Sequence, residues 1–138
     1  MATDQSREVA RRFTEEVWRG QLDALDGLLD GEFTDHDPQP GQRPGPEGYK
    51  QMAADFFRAF PDLRASNQDV IAEGDKLVVR WNAEATHTGE LMGIAPTGKQ
   101  VRLRGIEILR IRDGRIVERW GEFDAMGMMQ QLGVIPSQ

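Results

Sequence analysis

The sequence predicts an α+β fold in which helices from the first part of the chain cover one face of an antiparallel sheet. Apolar residues before Pro61 recur at every third or fourth position, which is typical of amphipathic helices. From Leu63 onward the apolar period falls to two, which is typical of strands with one buried face. The pairs Gly74-Asp75 and Asp113-Gly114 are turn signals, so both flanking strand pairs are predicted to be antiparallel hairpins.

Three helices are predicted before the sheet. In the first, Val9, Phe13 and Val17 share one face and Gly20 ends the helix. A short apolar stripe of leucines forms the second, and Pro61 ends the third, which has the clearest helical pattern in the chain. The predicted elements are helices at 4–19, 22–29 and 47–60, an extended segment at 32–37, and a proline-rich loop at 38–48.

Four strands follow, and strict alternation divides their side chains between two faces. The ranges are 63–73, 76–87, 99–112 and 115–124, with one or two helical turns at 125–132 before Gly133. The helices must bury their apolar stripes on one face of this sheet. A strongly curved sheet would leave a cavity between the two layers.

Composition limits the classes of function. The chain has 138 residues, which predicts one domain spanning 1–138. Its formal net charge of −6 argues against a nucleic-acid or anionic-membrane partner, because both need a basic surface. Cysteine is absent, which excludes disulfides and thiolate chemistry, and the polar N-terminus predicts no signal peptide. These features predict a cytoplasmic location.

Glu107 is the one carboxylate on the apolar face of the strand at 99–112. A buried carboxylate must be paired or protonated, because an isolated buried charge is very costly. Two interpretations stay open: a structural partner of a nearby Arg or Trp, or a residue of an internal pocket.

Asp124 ends the last strand directly before the final helix. It can cap that helix, act as an acid–base group, or do both. His36 lies in the run Asp35-His36-Asp37, where a carboxylate can hold one ring nitrogen, in a structural or a functional role. His87 follows Trp81 on one strand face, at a pocket mouth or at a solvated strand end. The spacing of the two histidines does not predict a metal site.

Several segments, in their order and spacing, resemble the SnoaL-like polyketide cyclases (ester cyclases) of the NTF2-like superfamily. The resemblance covers nearly the whole chain and is strongest over 32–133. The segments are Asp35-His36-Asp37-Pro38, Gly45-Pro46-Glu47-Gly48, Ala59-Phe60-Pro61-Asp62-Leu63, Ala72-Glu73-Gly74-Asp75, Thr86-His87-Thr88-Gly89, Gly93-Ile94-Ala95-Pro96-Thr97-Gly98, Arg110 to Ile116, Trp120, Asp124 and Gln131-Leu132-Gly133.

The resemblance implies an NTF2-like cone, in which a curved mixed sheet wraps around the N-terminal helices and encloses an apolar pocket. It also implies catalysis without metal or cofactor. An aspartate near the chain's end removes a proton next to a carbonyl of a polyketide methyl ester, and an intramolecular aldol condensation closes a ring. By position that aspartate is Asp124, with His36 beside it. The strand at 99–112 departs from the cyclase pattern, because it carries Glu107 and arginines but no histidine.

The leading prediction is therefore a cofactor-independent, cyclase-like enzyme that acts on a hydrophobic carbonyl compound. Asp124 and His36 are the predicted catalytic residues. The predicted pocket residues are Trp81, His87, Glu107, Trp120, Phe56 and Phe57. No cofactor or metal is expected.

Three alternatives stay open. The first is a non-catalytic protein that binds a small hydrophobic ligand. The second is a ketosteroid-type isomerase, which needs a pocket donor such as Tyr49, the only tyrosine. The third is a limonene-type epoxide hydrolase, which needs an Asp-Arg-Asp set around a water.

A homodimer or homotetramer is predicted from the second strand face, since family members associate through the sheet's outer surface. This face mixes aliphatic and cationic side chains, whereas a face left to water is normally more uniformly polar. Its residues are predicted to be Arg80, Arg102, Arg104, Ile106, Ile108 and Arg119.

Overall fold

The computed structural model describes residues 4–136 and has the predicted α+β architecture. Five strands form one sheet in the order β1-β5-β4-β3-β2, with β1 parallel to β5 and all other neighbours antiparallel. The elements are α1 (Asp4–Glu15), 3₁₀ turns at Val17–Arg19 and Leu22–Ala24, α2 (Leu25–Leu28), β1 (Leu29–Asp35), α3 (Gly45–Ala59), β2 (Arg64–Glu73), β3 (Lys76–Thr86), β4 (Gln100–Arg112), β5 (Arg115–Phe123) and α4 (Ala125–Leu132).

Both predicted hairpins are confirmed, and each turn has backbone geometry that suits its sequence. In the β2–β3 turn, Gly74 has a φ of 59°, which glycine adopts without a steric penalty. In the β4–β5 turn, Asp113 and Gly114 both have positive φ, at 53° and 75°. Such paired positive values match the right-handed twist of the flanking strands.

The helix boundaries differ from the prediction at three places. The segment 22–29 is a 3₁₀ turn followed by α2, and Leu29 already begins β1. The first helix ends at Glu15 and continues as a separate 3₁₀ turn, rather than running through 19. Helix α3 begins at Gly45, two residues early, with Pro46 in its first turn. Proline is well tolerated there, because the first amides of a helix have no intrahelical acceptor.

The helices bury their apolar faces on one side of the sheet in two separate clusters. One cluster joins α1, α2 and α3 to β1, β3 and β5, and includes Phe13 and Tyr49. The other joins the end of α3 and helix α4 to β2, β3 and β4, and includes Phe60 and Met128. Trp18 packs against both clusters. The space between them becomes the internal cavity.

Candidate active site

A cavity opens between the helical layer and the sheet, and its wall is mostly apolar. Its volume is ≈ 70 Å³, and it opens to solvent at one side. An apolar wall with a few converging polar groups is typical of pockets that bind small organic molecules. The lining residues are Thr14, Trp18, Gln39, Tyr49, Met52, Phe56, Leu63, Ala65, Trp81, Ala83, Leu103, Glu107, Arg119 and Phe123.

Glu107 and Arg119 are the two charged groups in this wall. Arg119 Nε donates a hydrogen bond to Glu107 Oε1 over 2.8 Å. Their side chains are only 5% and 13% exposed. Glu107 Oε2 has no hydrogen-bond donor among residues 4–136. One oxygen of the carboxylate is therefore held in place, and the other is free to meet a ligand.

Burial is the main influence on the Glu107 carboxyl. Loss of solvation raises its pKa above the ordinary value of 4.5, and the neighbouring Arg119 cation offsets only part of that rise. A raised pKa makes the carboxylate a stronger base when it is ionised.

A third buried group, Asp35, lies behind this pair. Arg119 Nη1 donates to Asp35 Oδ1 over 3.0 Å, and the Asp35 side chain is 5% exposed. Asp35 does not line the cavity, and its second oxygen accepts from Gln42 Nε2 at 3.0 Å in the proline-rich loop. Arg119 thus lies between two carboxylates, of which only Glu107 reaches the cavity.

Two glycines make room for the large side chains of this wall. Gly121 is the register partner of Glu107 across β4 and β5. A Cβ at position 121 would lie 2.7 Å from Arg119 Nη2 and 3.0 Å from Glu107 Cβ. Gly105 is likewise the register partner of Trp81, and a Cβ there would lie 2.5 Å from the indole. A side chain at position 121 would displace the Arg119 guanidinium, and one at position 105 would collide with the Trp81 indole and the Glu122 carbonyl.

Tyr49 brings a phenol into the cavity from α3. Its oxygen accepts a hydrogen bond from Trp18 Nε1 at 3.2 Å, so the phenolic hydrogen is free to be donated elsewhere. The residue is 1% exposed, and burial raises the pKa of the phenol above its ordinary value of 10. Tyr49 is thus a neutral hydrogen-bond donor at physiological pH.

The prediction that Asp124 faces the cavity is wrong. Its carboxylate caps α4 by accepting from Gly127 N at 2.8 Å, and its side chain is 42% exposed. Arg104 lies 3.7 Å away, on the outer face of the sheet. Alternation along β5 explains the error, since Arg119, Gly121 and Phe123 point inward and Asp124 follows the strand's last residue.

His36 and Trp120 also lie outside the cavity, against the prediction. The two rings stack at 4.6 Å between centroids, and His36 Nε2 is 2.9 Å from Glu118 Oε2. The His36 side chain is 37% exposed. Beyond the bulge that follows Ile116, residues of even number on β5 point away from the helices, so Trp120 does not share a face with Arg119.

His87 and Phe57 pack beside the second core cluster and do not line the cavity. His87 is fully buried, which fits neither a pocket mouth nor a solvated strand end. Its Nδ1 accepts from Thr97 N at 3.2 Å, and Phe60 packs 5.4 Å away. Phe57 stacks on Trp18 at 5.8 Å.

The other predicted pocket residues, Trp81, Glu107 and Phe56, do line the cavity. The prediction missed Arg119, which it placed on the outer face, and it considered Tyr49 only for one alternative. Alternation along β5 puts Arg119 on the same face as Gly121 and Phe123, so this pattern could have identified Arg119 as a cavity residue. No local pattern relates Asp35 to Arg119, because 84 positions separate them.

The family model for the SnoaL-like polyketide cyclases matches residues 8–132. The chain belongs to the SnoaL-like polyketide cyclase family. Solved structures that resemble the chain confirm the predicted NTF2-like fold. No protein of curated function matches the chain significantly.

Three solved structures illustrate the range within this similarity. TsrD from Streptomyces laurentii is 27% identical, with a TM-score of 0.87 over 98% of this chain and 99% of that one. IdmH from Streptomyces antibioticus, provisionally described as a polyketide cyclase, is 32% identical, with a TM-score of 0.81 over 95% and 99%. AclR from Streptomyces galilaeus, provisionally described as a hydroxylase, is 26% identical, with a TM-score of 0.81 over 96% and 85%.

The descriptions of these SnoaL-like relatives differ, so the similarity alone does not identify the reaction. Within residues 4–136, no group of three or more His, Asp or Glu side chains is arranged to hold a metal ion. In the same part of the chain, no helix is long and apolar enough to cross a membrane.

Proposed function

We propose that this SnoaL-like protein catalyses cofactor-independent acid–base chemistry on a small hydrophobic carbonyl compound. Glu107 is the proton acceptor, Tyr49 donates a hydrogen bond to the developing oxyanion, and an intramolecular aldol condensation follows. The observation that carries the proposal is one buried carboxylate with a free oxygen beside a buried phenol in an apolar cavity. This assignment replaces Asp124 and His36, which lie outside the cavity.

The proposed reaction needs no co-reactant. Glu107 Oε2 takes a proton from the carbon next to a carbonyl, and the electron pair of the broken C–H bond moves to the carbonyl oxygen. The resulting enolate carbon attacks a second carbonyl of the same molecule and forms a C–C bond. The new alkoxide recovers the proton from Glu107, so the product is an isomer of the substrate.

Tyr49 and Arg119 supply the electrostatic part of this proposal. The Tyr49 hydroxyl already accepts from Trp18 Nε1, which orients its hydrogen away from the indole and polarises the O–H bond. Arg119 keeps Glu107 Oε1 in place and leaves Oε2 for the substrate. Preorganised donors of this kind stabilise negative charge that develops only in the transition state.

Hydrogen–deuterium exchange tests the proton-abstraction step without knowledge of the natural substrate. A panel of aryl ketones and aryl β-keto esters is incubated in D₂O, and loss of the proton next to the carbonyl is followed by NMR. Glu107→Gln should reduce the enzymatic rate by about 10²–10⁴-fold, the usual cost of losing a general base.

Glu118→Gln is the matched control, because it makes the same chemical change on the outer face, where Glu118 binds His36. Full exchange activity in Glu107→Gln would remove Glu107 from the mechanism. Compounds that bind the wild-type protein but never exchange would favour the non-catalytic, ligand-binding alternative.

Epoxide hydrolysis is the second candidate, and one observation favours it. The set Asp35–Arg119–Glu107 is a carboxylate–arginine–carboxylate arrangement like the one that this chemistry requires. It ranks second because Asp35 does not line the cavity and is hydrogen-bonded to Gln42. Formation of a diol from small cyclic epoxides, measured by mass spectrometry in H₂¹⁸O, would move it to first place.

A further inference from the structure

Asp35 contacts three different parts of the molecule from a buried position. Its Oδ1 accepts from Arg119 Nη1 at 3.0 Å and from the Asp37 backbone N–H at 3.1 Å. Its Oδ2 accepts from Gln42 Nε2 at 3.0 Å. The contacts fix its orientation toward Arg119.

The proline-rich loop that carries Gln42 is also the wall of the cavity mouth. Gln42 Oε1 accepts from the Gln39 backbone N–H at 2.9 Å, and Gln39 lines both the cavity and the outer groove at its mouth. At the start of the loop, Asp37 Oδ2 accepts from Gly121 N at 2.9 Å. Gly121 is the register partner of Glu107. The loop is thus attached at two points. Gln42 links it through Asp35 to Arg119, and Asp37 links it to Gly121, the neighbour of Glu107.

We propose that Asp35 is a positioning residue that holds the Arg119 guanidinium between the carboxylates of Asp35 and Glu107, so that its positive charge is divided between the two. Asp35 also attaches residues 38–44, the mouth loop, to this group. The inference rests on the proposed function only in giving Glu107 the role of base. The arrangement itself can be measured without any substrate.

The charges around Glu107 explain why sharing matters. Two charged groups act on Glu107, Arg119 on β5 and Asp35 on β1. Tyr49 on α3 is a neutral titratable group that faces the same space. If Arg119 paired with Glu107 alone, the cation would favour the ionised carboxylate strongly and weaken it as a base. The negative charge of Asp35 counteracts the cation and works with burial to raise the pKa of Glu107.

The titration of Glu107 can be followed directly by ¹³C NMR of the Glu Cδ resonance in protein labelled at glutamate. In Asp35→Asn, the midpoint for Glu107 should move to lower pH by about one pH unit, because a nearby negative charge is removed. Asp30→Asn is the control, since Asp30 is on the same strand but pairs with Arg112, away from the cavity. The control should leave the Glu107 midpoint in place.

A second variant keeps the proposal testable if Asp35→Asn does not fold. Gln42→Lys leaves Asp35 and Arg119 unchanged and lies in the mouth loop, where Gln42 already contacts Asp35 Oδ2. Its ammonium group would pair with Asp35 Oδ2, so the Glu107 midpoint should again fall. Gln51→Lys adds the same charge on the exposed side of α3, where Gln51 binds Asp55, and serves as its control.

The outcomes separate this proposal from the proposed function. A Glu107 midpoint that is unchanged in both Asp35→Asn and Gln42→Lys, or that moves equally in the two controls, would overturn the sharing of Arg119. Exchange activity that survives in Glu107→Gln would overturn the proposed function, whatever the titrations give. When both proposals hold, the pH at which the exchange rate falls on the acid side shifts together with the Glu107 titration midpoint measured by NMR.

Discussion

Glu107 and Gly121 face each other across β4 and β5, and the missing side chain at position 121 leaves the space that the Arg119 guanidinium occupies. The acid–base pair therefore depends on a glycine that itself contributes no chemistry. Overpacking at such a position typically costs about 1–3 kcal/mol of stability.

Gly121→Ala is expected to push Arg119 away from Glu107 Oε1 and to lower both stability and isotope exchange. Urea denaturation and the exchange assay measure the two effects. Gly31→Ala is the matched control on β1, because no atom lies within 4 Å of the Cβ it would add. Wild-type exchange in Gly121→Ala would mean that the Arg119–Glu107 contact is dispensable.

The stability of the protein should depend on pH through Glu107. Burial raises its pKa above 4.5 in the folded state, so between 4.5 and the folded value the native protein binds more protons than the unfolded chain. The free energy of unfolding contributed by this group is therefore fully present below pH 4.5 and is lost as the pH rises through the folded pKa. Glu107→Gln should lack this decline.

Urea denaturation from pH 4.5 to 8 compares the two proteins. The wild type should lose stability relative to Glu107→Gln as the pH rises. Parallel curves would show that Glu107 titrates alike in the folded and unfolded states.

Tyr49→Phe removes one hydroxyl and keeps the ring that packs against Phe13, 5.6 Å away. Trp18 Nε1 then loses its acceptor, which typically costs about 1–3 kcal/mol when the donor stays buried. If Tyr49 stabilises an oxyanion, the rate constant for exchange should fall by about 10²–10³-fold with little change in apparent substrate affinity. A loss of affinity alone would assign Tyr49 to binding.

Asp124→Asn tests the assignment that the family resemblance implies. Asparagine and aspartate cap helices about equally well, so the melting temperature should stay close to that of the wild type. Since Asp124 lies outside the cavity, exchange should also be unchanged. Asp124→Ala should cost about 1 kcal/mol through loss of the cap. Abolished exchange in the Asn variant with unchanged melting would restore Asp124 as the base.

A homodimer or larger assembly through the outer face of the sheet remains a prediction. Ile106 is 52% exposed there, and Arg80 and Arg104 border the same shallow surface. Ile106→Glu should shift the mass measured by light scattering toward the 15.5 kDa monomer. Thr34→Glu, on the edge strand, is the control. A wild-type protein that is already monomeric at micromolar concentration would contradict the prediction.

Much of the fold was predictable because its signals are local. The change of period at Leu63, the two turn pairs and Pro61 fix the elements from neighbouring residues alone. Alternation also placed Glu107 and Trp81 on the inward face, since a strand reverses its side chains at every residue. These inferences need no knowledge of which strands become neighbours.

The site itself was decided by long-range pairing. The parallel register of β1 and β5 sets Asp35 opposite Arg119, which lies 84 positions further along the chain. The assignment of Asp124 to the cavity was wrong because Asp124 is the first residue after β5, where its side chain caps α4 instead of facing the cavity. Periodicity reports which face of its own element a residue occupies. Only the packed sheet and helices decide which charges share one buried space, and there the low dielectric makes their interaction strong enough to set the chemistry.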